Sequence, residues 1–408
     1  MRIDCHCHLF DNACVPVMGF LAGRLGLAIG DRVADILRDL KQGKSHLTLL
    51  DYFSDVMFDP ETFLGNIGDV DDKNSLAFIM KHPEDFFGFL GIGILDIPQI
   101  LDKYHRKASA MDILVPLMMD MTHAYPGSLP ETGFEAQCDI MSRLTLRARG
   151  RVMPFYAFDP RAENALDKAK AAIESRGFIG IKLYPPLGFK PMGNADERVE
   201  QNLLGLYAFC SNDRSDPIPI TSHCSWSAGV YSNRKIDHDG LKAFYRSLAA
   251  PVYWGPVLAE FPNLKINLAH FGGLGEWEAL SKGEKPEKEW IDPIIGFMKT
   301  HDHVYTDLSY NYLPTTRHAE SYKRILLQKI HGVEHRVVFG TDYYMSRMLC
   351  DLDEFVAAYQ DLLRDVFDRA AGENAIHFLR SEASKTFSPR FFERNHAVLD
   401  PKYVGLFD

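Results

Sequence analysis

Eight short runs of β-type residues, most of them followed by a helix-like stretch, constrain this chain more than any other feature. The runs cover residues 2–9, 113–120, 152–158, 178–184, 219–223, 265–270, 304–308 and 336–342. Amphipathic helix candidates lie between them, among them 163–175, 203–210 and 352–367. Strands that alternate with helices build a parallel sheet. Eight such units predict an α/β fold of the closed (β/α)8 TIM-barrel type rather than an open sheet. Barrels of this kind routinely run past about 250 residues as one unit. The 408 residues therefore read as a single domain, 1–408.

The first connection departs from the pattern. Residues 10–112 separate the first run from the second. That is too long for a plain loop, so the segment is expected to carry its own structure. Stretches 33–40 and 74–80 read as helices, which predicts a long, mostly helical insertion over the strand C-termini, as a lid or a dimerisation element. The tail beyond Ser384 reads as a C-terminal helix-and-loop extension. No internal repeat and no low-complexity segment interrupts the chain.

Charge narrows the partners. Asp and Glu outnumber Lys and Arg by 55 to 45, a formal net charge of −10. An acidic chain without a basic block is poorly suited to nucleic acid or an anionic membrane. The expected partner is a small-molecule substrate, which a few local cations can hold even when it is anionic. The most apolar stretch, 86–95, is about half the length that crosses a bilayer. The strand-like run beginning at Arg2 argues against a secretory leader. The 7 cysteines are spaced neither as a disulfide framework nor as a zinc knuckle. They read as reduced thiols in a cytoplasmic protein. Gly91-Ile92-Gly93 lacks the third glycine and the context of a nucleotide loop. Residues 117–121 and 86–95 read as core.

The chemistry gathers at the ends of the runs. Strand side chains alternate between faces, so His6 and His8 share one face, and Cys5 and Cys7 the other. Two imidazoles at the C-terminal end of an inner strand are a ready pair of metal ligands. The plain alternative is a chance His-x-His in a loop. His223 ends the fifth run, His270 the sixth and Asp342 the eighth. A lone histidine is commonly a core residue and a lone aspartate a helix cap. Polar groups at the corresponding ends of several strands are where a parallel barrel collects its active site. Gly272 and Gly273 allow a tight exit turn, and Gly340 a close backbone approach.

This constellation resembles the amidohydrolase superfamily. The matching elements are Asp4-x-His6-x-His8, His223, His270 with Gly272-Gly273, and Gly340-Thr341-Asp342. The chain is most similar to the amidohydrolase-related branch that includes aminocarboxymuconate semialdehyde decarboxylase. There the patterns Phe158-Asp159-Pro160-Arg161 and Gly180-Ile181-Lys182-Leu183-Tyr184-Pro185 match as well. The resemblance spans nearly the whole chain apart from the insertion and the tail. It implies that His6, His8, His223 and Asp342 ligate a divalent metal, zinc first and manganese next. His270 would stand beside the metal-activated water as base or orienting group. Such a metal lowers the pKa of bound water from near 16 to about 7. Asp342 can then accept a proton, and His270 can bond a developing oxyanion. The implied reaction is hydrolysis of an ester, lactone or amide-like bond in a small carboxylated or cyclic molecule. The branch also contains non-oxidative decarboxylases, and the same residues suit decarboxylation of an unsaturated or aromatic acid. A third reading is a non-catalytic metal-binding barrel, against which the intact polar set argues. A homodimer is implied by the resemblance alone.

Lys182 admits three readings. It is a free cation for a substrate carboxylate, a carbamylated bridge between two metals as in binuclear relatives, or a core-edge lysine paired with a carboxylate. One metal per chain is expected, two if Lys182 is carbamylated. The lack of a Glu on this strand sets the chain apart from metal-dependent deoxyribonucleases. Tyr184, Trp226 and Arg347 are the further candidates for substrate contact, from loops that also carry Ser225, Ser227, Tyr310, Asn311, Tyr312, Tyr343 and Tyr344. Aromatics beside a cation suit a planar carboxylated molecule, although such side chains also fill barrel rims by packing.

Overall fold

Each expected run becomes a strand in the computed structural model, which describes residues 1–16, 91–125, 128–211, 217–227, 238–312, 316–327, 332–381 and 386–407. They are β1 (Ile3–Cys7), β2 (Ile113–Pro116), β3 (Phe155–Ala157), β4 (Gly180–Leu183), β5 (Ile220–Ser225), β6 (Ile266–Gly272), β7 (Val304–Asp307) and β8 (Val337–Val338). The helices expected at 33–40 and 74–80, and with them most of the insertion, lie outside the described residues.

Every strand is buried along its length, as parallel strands are when helices cover one face and side chains fill the other. β1 pairs with β2, and β3 through β8 pair in chain order, all parallel. Backbone hydrogen bonds join the two ladders on both sides. Leu114 N–H donates to Arg151 O and Met153 N–H to Leu114 O, each at 2.9 Å. On the other side Cys5 N–H donates to Phe339 O at 2.9 Å and Asp342 N–H to His6 O at 2.7 Å. The fold is a (β/α)8 barrel.

The described helices are α1 (Ile97–Lys107), α2 (Phe134–Arg147), α3 (Ala165–Ser175), α4 (Glu197–Ser211), α5 (His238–Ser247), α6 (Trp254–Glu260), α7 (Leu274–Lys282), α8 (Ile291–Thr300), α9 (Thr316–Leu327), α10 (Leu352–Ala371), α11 (Glu373–Leu379), α12 (Pro389–Asn395) and α13 (Pro401–Val404). α1 shows why such segments fold. Ile97, Ile100, Leu101 and Tyr104 form a buried stripe at helical spacing. Gln99 N–H donates to Asp96 Oδ1 at 2.9 Å, and Asp96 N–H donates to Gln99 Oε1 at 3.0 Å. This reciprocal cap is worth about 1 kcal/mol. His105, Arg106 and Lys107 close the last turn, where positive charge opposes the helix dipole.

The tail has a definite job. Ile3, Cys5, Ile113, Val115, Phe155, Tyr305 and Val338, from five strands, share one apolar cluster with Phe378 of α11, Phe391 of α12 and Tyr403 of α13. Side chains from strands so far apart meet inside the barrel, and the tail stoppers that end.

Strict alternation fails on β1. Its register slips between Asp4 and Cys7, and an irregularity of this kind changes the phase of the side chains. Asp4 turns to α1, where Tyr104 Oη donates to Asp4 Oδ2 at 2.6 Å. Cys5 joins the floor cluster, while Cys7 packs in the main core with Tyr104 and Leu114. The two cysteines therefore do not share the helix-facing side that simple alternation assigns them. All 7 cysteines are buried, and no disulfide joins them. Among the described residues no helix is long and apolar enough to cross a membrane.

Candidate metal centre

At the opposite end of the interior the strands present polar groups. His6, His8 and Asp342 are buried, and their ligating atoms lie within 4.8 Å of one another. Two backbone details make the meeting possible. A Cβ on Gly340 would stand 2.5 Å from His6 Cβ, so only glycine lets β8 run this close to β1. Asp342 then adopts φ 54°, a left-handed backbone that costs an aspartate about 1–2 kcal/mol. Its N–H bond to His6 O holds that turn in place. His270 is likewise left-handed, at φ 69°, and leads into Gly272 and Gly273 at φ 83° and 103°, the expected tight exit.

The hydrogen bonds decide which histidine nitrogens are free to ligate. His8 Nδ1 is 2.8 Å from Leu117 O. A carbonyl only accepts, so Nδ1 carries the proton and Nε2 the lone pair. His6 Nδ1 is 2.9 Å from Asp307 Oδ2, which orients His6 in the same way. Both Nε2 atoms face Asp342 Oδ1, at 3.5 Å from His6 and 3.0 Å from His8. His6 Nε2 and Asp342 Oδ1 are buried and make no hydrogen bond. Orphaned polar atoms in a dry interior call for a partner, and a divalent cation satisfies this donor set of two imidazoles and a carboxylate.

Protonation states agree. Burial brings the His6 pKa down to about 3 and also lowers those of His270 and His223, so these rings are neutral. Burial alone would raise Asp342, but the close His8, His6 and His270 rings hold it below its ordinary value, as a carboxylate.

His223, expected as a fourth ligand, stands beside this triad. It belongs to neither triad of potential ligands found among the described residues. Its Nδ1 lies 3.0 Å from His270 Nε2, and its Nε2 lies 3.2 Å from Ser225 Oγ. The two histidines form a hydrogen-bonded pair beside the triad, with the Tyr184 ring 4.8 Å from that of His223.

Lys182 faces the same space and is 2% exposed. Among the described residues no carboxylate comes within ion-pair distance of it, and Asp342 and Asp307 act on it only through their charge. Desolvation lowers its pKa to about 8, against the pull of Asp342 and Asp307. The remaining substrate candidates have partners of their own. Trp226 packs under Lys288, whose Nζ is 3.9 Å from the ring centre, and 6.0 Å from Trp290. Arg347 is paired with Asp351 at 2.9 Å.

Asp307 is the residue that motif reading missed. It accepts from His270 N–H at 2.8 Å, Asn267 Nδ2 at 2.7 Å and Ser309 N–H at 3.1 Å, besides His6. Those bonds and the nearby histidines outweigh burial and keep its pKa well below the ordinary value. A second triad, His6, His270 and Asp307, satisfies the same proximity test. The oxygens of Asp307 are already occupied, however, so it acts as the support behind His6. Its signal was available, because it lies near the C-terminal end of the seventh run, one residue before Leu308.

The profile of the amidohydrolase family matches residues 3–381. Solved structures with a similar course include an uncharacterised TIM-barrel protein from Bordetella bronchiseptica, at 16% identity and TM-score 0.49, covering 93% of this chain and 98% of that one. A 5-carboxyvanillate decarboxylase from Novosphingobium aromaticivorans, complexed with manganese and 4-hydroxy-3-methoxy-5-nitrobenzoic acid, is 14% identical with TM-score 0.49 over 93% of this chain and 95% of that one. A probable 2-pyrone-4,6-dicarboxylic acid hydrolase from Acinetobacter baumannii, with citric acid bound, is 13% identical with TM-score 0.45 over 69% and 87%. A search of curated proteins finds no match. With a family profile matched over nearly its whole length, this chain belongs to the amidohydrolase family and is a metal-dependent enzyme.

Proposed function

We propose that the chain is a metal-dependent hydrolase of a small carboxylated organic molecule. One divalent ion per chain, zinc before manganese, would be held by His6 Nε2, His8 Nε2 and Asp342. The observation that carries this reading is the pair of buried, unbonded atoms His6 Nε2 and Asp342 Oδ1, 3.5 Å apart. When bound, the ion supplies Lewis acidity and makes water acidic enough to ionise near neutral pH. Asp342, held as a carboxylate, receives the proton of the attacking water and passes it to the leaving group. His270 orients the reacting oxygen, and His223 fixes the His270 ring through their shared hydrogen bond. Lys182, the buried cation without a carboxylate partner, takes the carboxylate of the substrate.

Elemental mass spectrometry of the purified protein tests the ligand set. Close to one zinc or manganese per chain supports it. Close to two reassigns Lys182 as a carbamylated bridge. No metal, and none on reconstitution, overturns it in favour of a non-catalytic barrel. The reaction is tested by turnover of a panel of carboxylated lactones and aromatic acids in 18O-labelled water. Label in the product supports hydrolysis. Release of carbon dioxide with no label in the organic product makes the enzyme a decarboxylase.

A further inference from the structure

A second cavity opens beside β3, between the N-terminal turns of α2 and α3. Its volume is about 320 Å3, and the central histidines, Lys182 and Asp342 take no part in its lining. Phe134, Tyr156 and Phe158 form apolar walls, with Asp120, Asp159 and Glu163 among the polar groups. The charges do not balance. Arg161 grips Asp159 through two hydrogen bonds, at 2.9 and 2.6 Å. Lys168 on the wall pairs with Glu135 at 3.6 Å. Asp120 and Glu163 make no ion pair among the described residues, and the basic group nearest in charge to Asp120 is the His123 ring on the same lining. Asp120 is 6% exposed, and its carboxylate accepts from Thr122, whose N–H donates to Oδ1 at 3.0 Å and whose side chain also bonds it. An ionised carboxylate this deep is costly without a positive partner.

Tyr156 supplies an independent observation. It is 3% exposed and lies in the electrostatic field of Asp120 and Glu135, acids of the same cavity. Its hydroxyl makes no hydrogen bond among the described residues. Tyr156 belongs to the cavity lining, so the hydroxyl is available to a ligand.

We propose that this cavity is a second small-molecule site, selective for an aryl-alkyl ammonium. Asp120 receives the ammonium, the aromatic walls receive the ring, and the Tyr156 hydroxyl receives a polar substituent. Buried carboxylate with aromatic faces is the combination that attracts organic cations, and the volume is at the lower end for a small-molecule pocket. The site is independent of the reaction assigned to the metal centre.

The test titrates the metal-loaded full chain with 2-phenylethylamine, 2-phenylethanol and tyramine by isothermal calorimetry. The amines should saturate one site, with 2-phenylethanol at least tenfold weaker. Asp120→Asn should weaken both amines at least tenfold with metal content and circular dichroism unchanged. Tyr156→Phe should weaken tyramine several-fold and leave 2-phenylethylamine alone. Equal binding of the alcohol and the amine overturns the proposal, and that comparison needs no variant. So does the absence of saturation, or unchanged affinity in Asp120→Asn. Asp342→Asn should bind the amines as the native chain does, and loss of binding there would move the ligand to the metal centre.

Discussion

The two ends of the barrel interior are built from opposite materials. At the floor, Ile3, Cys5, Val115, Phe155 and Val338 meet Phe378 and Tyr403 of the tail, and the cluster is apolar throughout. At the mouth, His6, His8, Lys182, His223, His270, Asp307 and Asp342 are nearly as buried, and almost all are polar or ionisable. The same strands supply both layers, only a few residues apart. Burial stabilises the floor through area removed from water. At the mouth it imposes a desolvation cost that each group offsets differently. Asp307 collects hydrogen bonds, His6 remains neutral, and Lys182 loses much of its affinity for a proton. Stability and chemistry are thus separated along the barrel axis, as barrels separate them generally.

That contrast can be broken by variants at each end. The largest effect is expected at the mouth, where Asp342→Ala should cut kcat by about a hundred- to ten-thousand-fold. Native kcat in this variant would remove Asp342 from the mechanism. At the floor, Phe378→Ala should cost about 3–5 kcal/mol in denaturant unfolding, with metal stoichiometry unchanged. Metal loss there would show that the two layers are coupled.

Asp307→Asn sharpens the comparison, because the residue sits between support and chemistry. Metal affinity measured by chelator competition should fall about 10- to 100-fold, the usual consequence of losing a carboxylate behind a ligating histidine. Lower stability with native affinity would make Asp307 a packing residue. A smaller effect follows from Lys182. Its pKa is about 8 in the fold against a usual 10.5. The inhibition constant of benzoate should therefore rise about tenfold per pH unit above about 8, and Lys182→Met should remove that limb. The sign for stability is the reverse. Between about pH 8 and 10.5 the unfolded chain binds this proton and the folded one does not, so stability gains from Lys182 as pH rises. The smallest effect is expected for Cys5→Ser and Cys7→Ser, whose metal content should equal the native value. Loss of metal in either would mean that a thiolate ligates.

Much of this was legible in the linear chain, for identifiable reasons. Alternating β and helical periodicity is local, so the eight strands and the amphipathic faces of helices such as α4 and α10 could be read directly. His6, His8, His270 and Asp342 were legible because a parallel barrel brings the C-terminal ends of all its strands to one mouth. Gly340 was legible as a close approach, although its neighbour, His6 Cβ, was not.

What the chain by itself determined was the set of strands, the fold they close into and the strand ends that carry donors, because period and position along a strand are properties of sequence. The tertiary structure alone decided the phase of β1, since the slip at Asp4 is set by pairing with β2 and by Tyr104, a hundred positions away. It also decided that His223 pairs with His270 outside the triad, that Arg347 binds Asp351, and that Asp307 stands behind His6. These are distances between residues remote in sequence. Hydrogen bonds and desolvation depend on such distances, which only the folded chain defines.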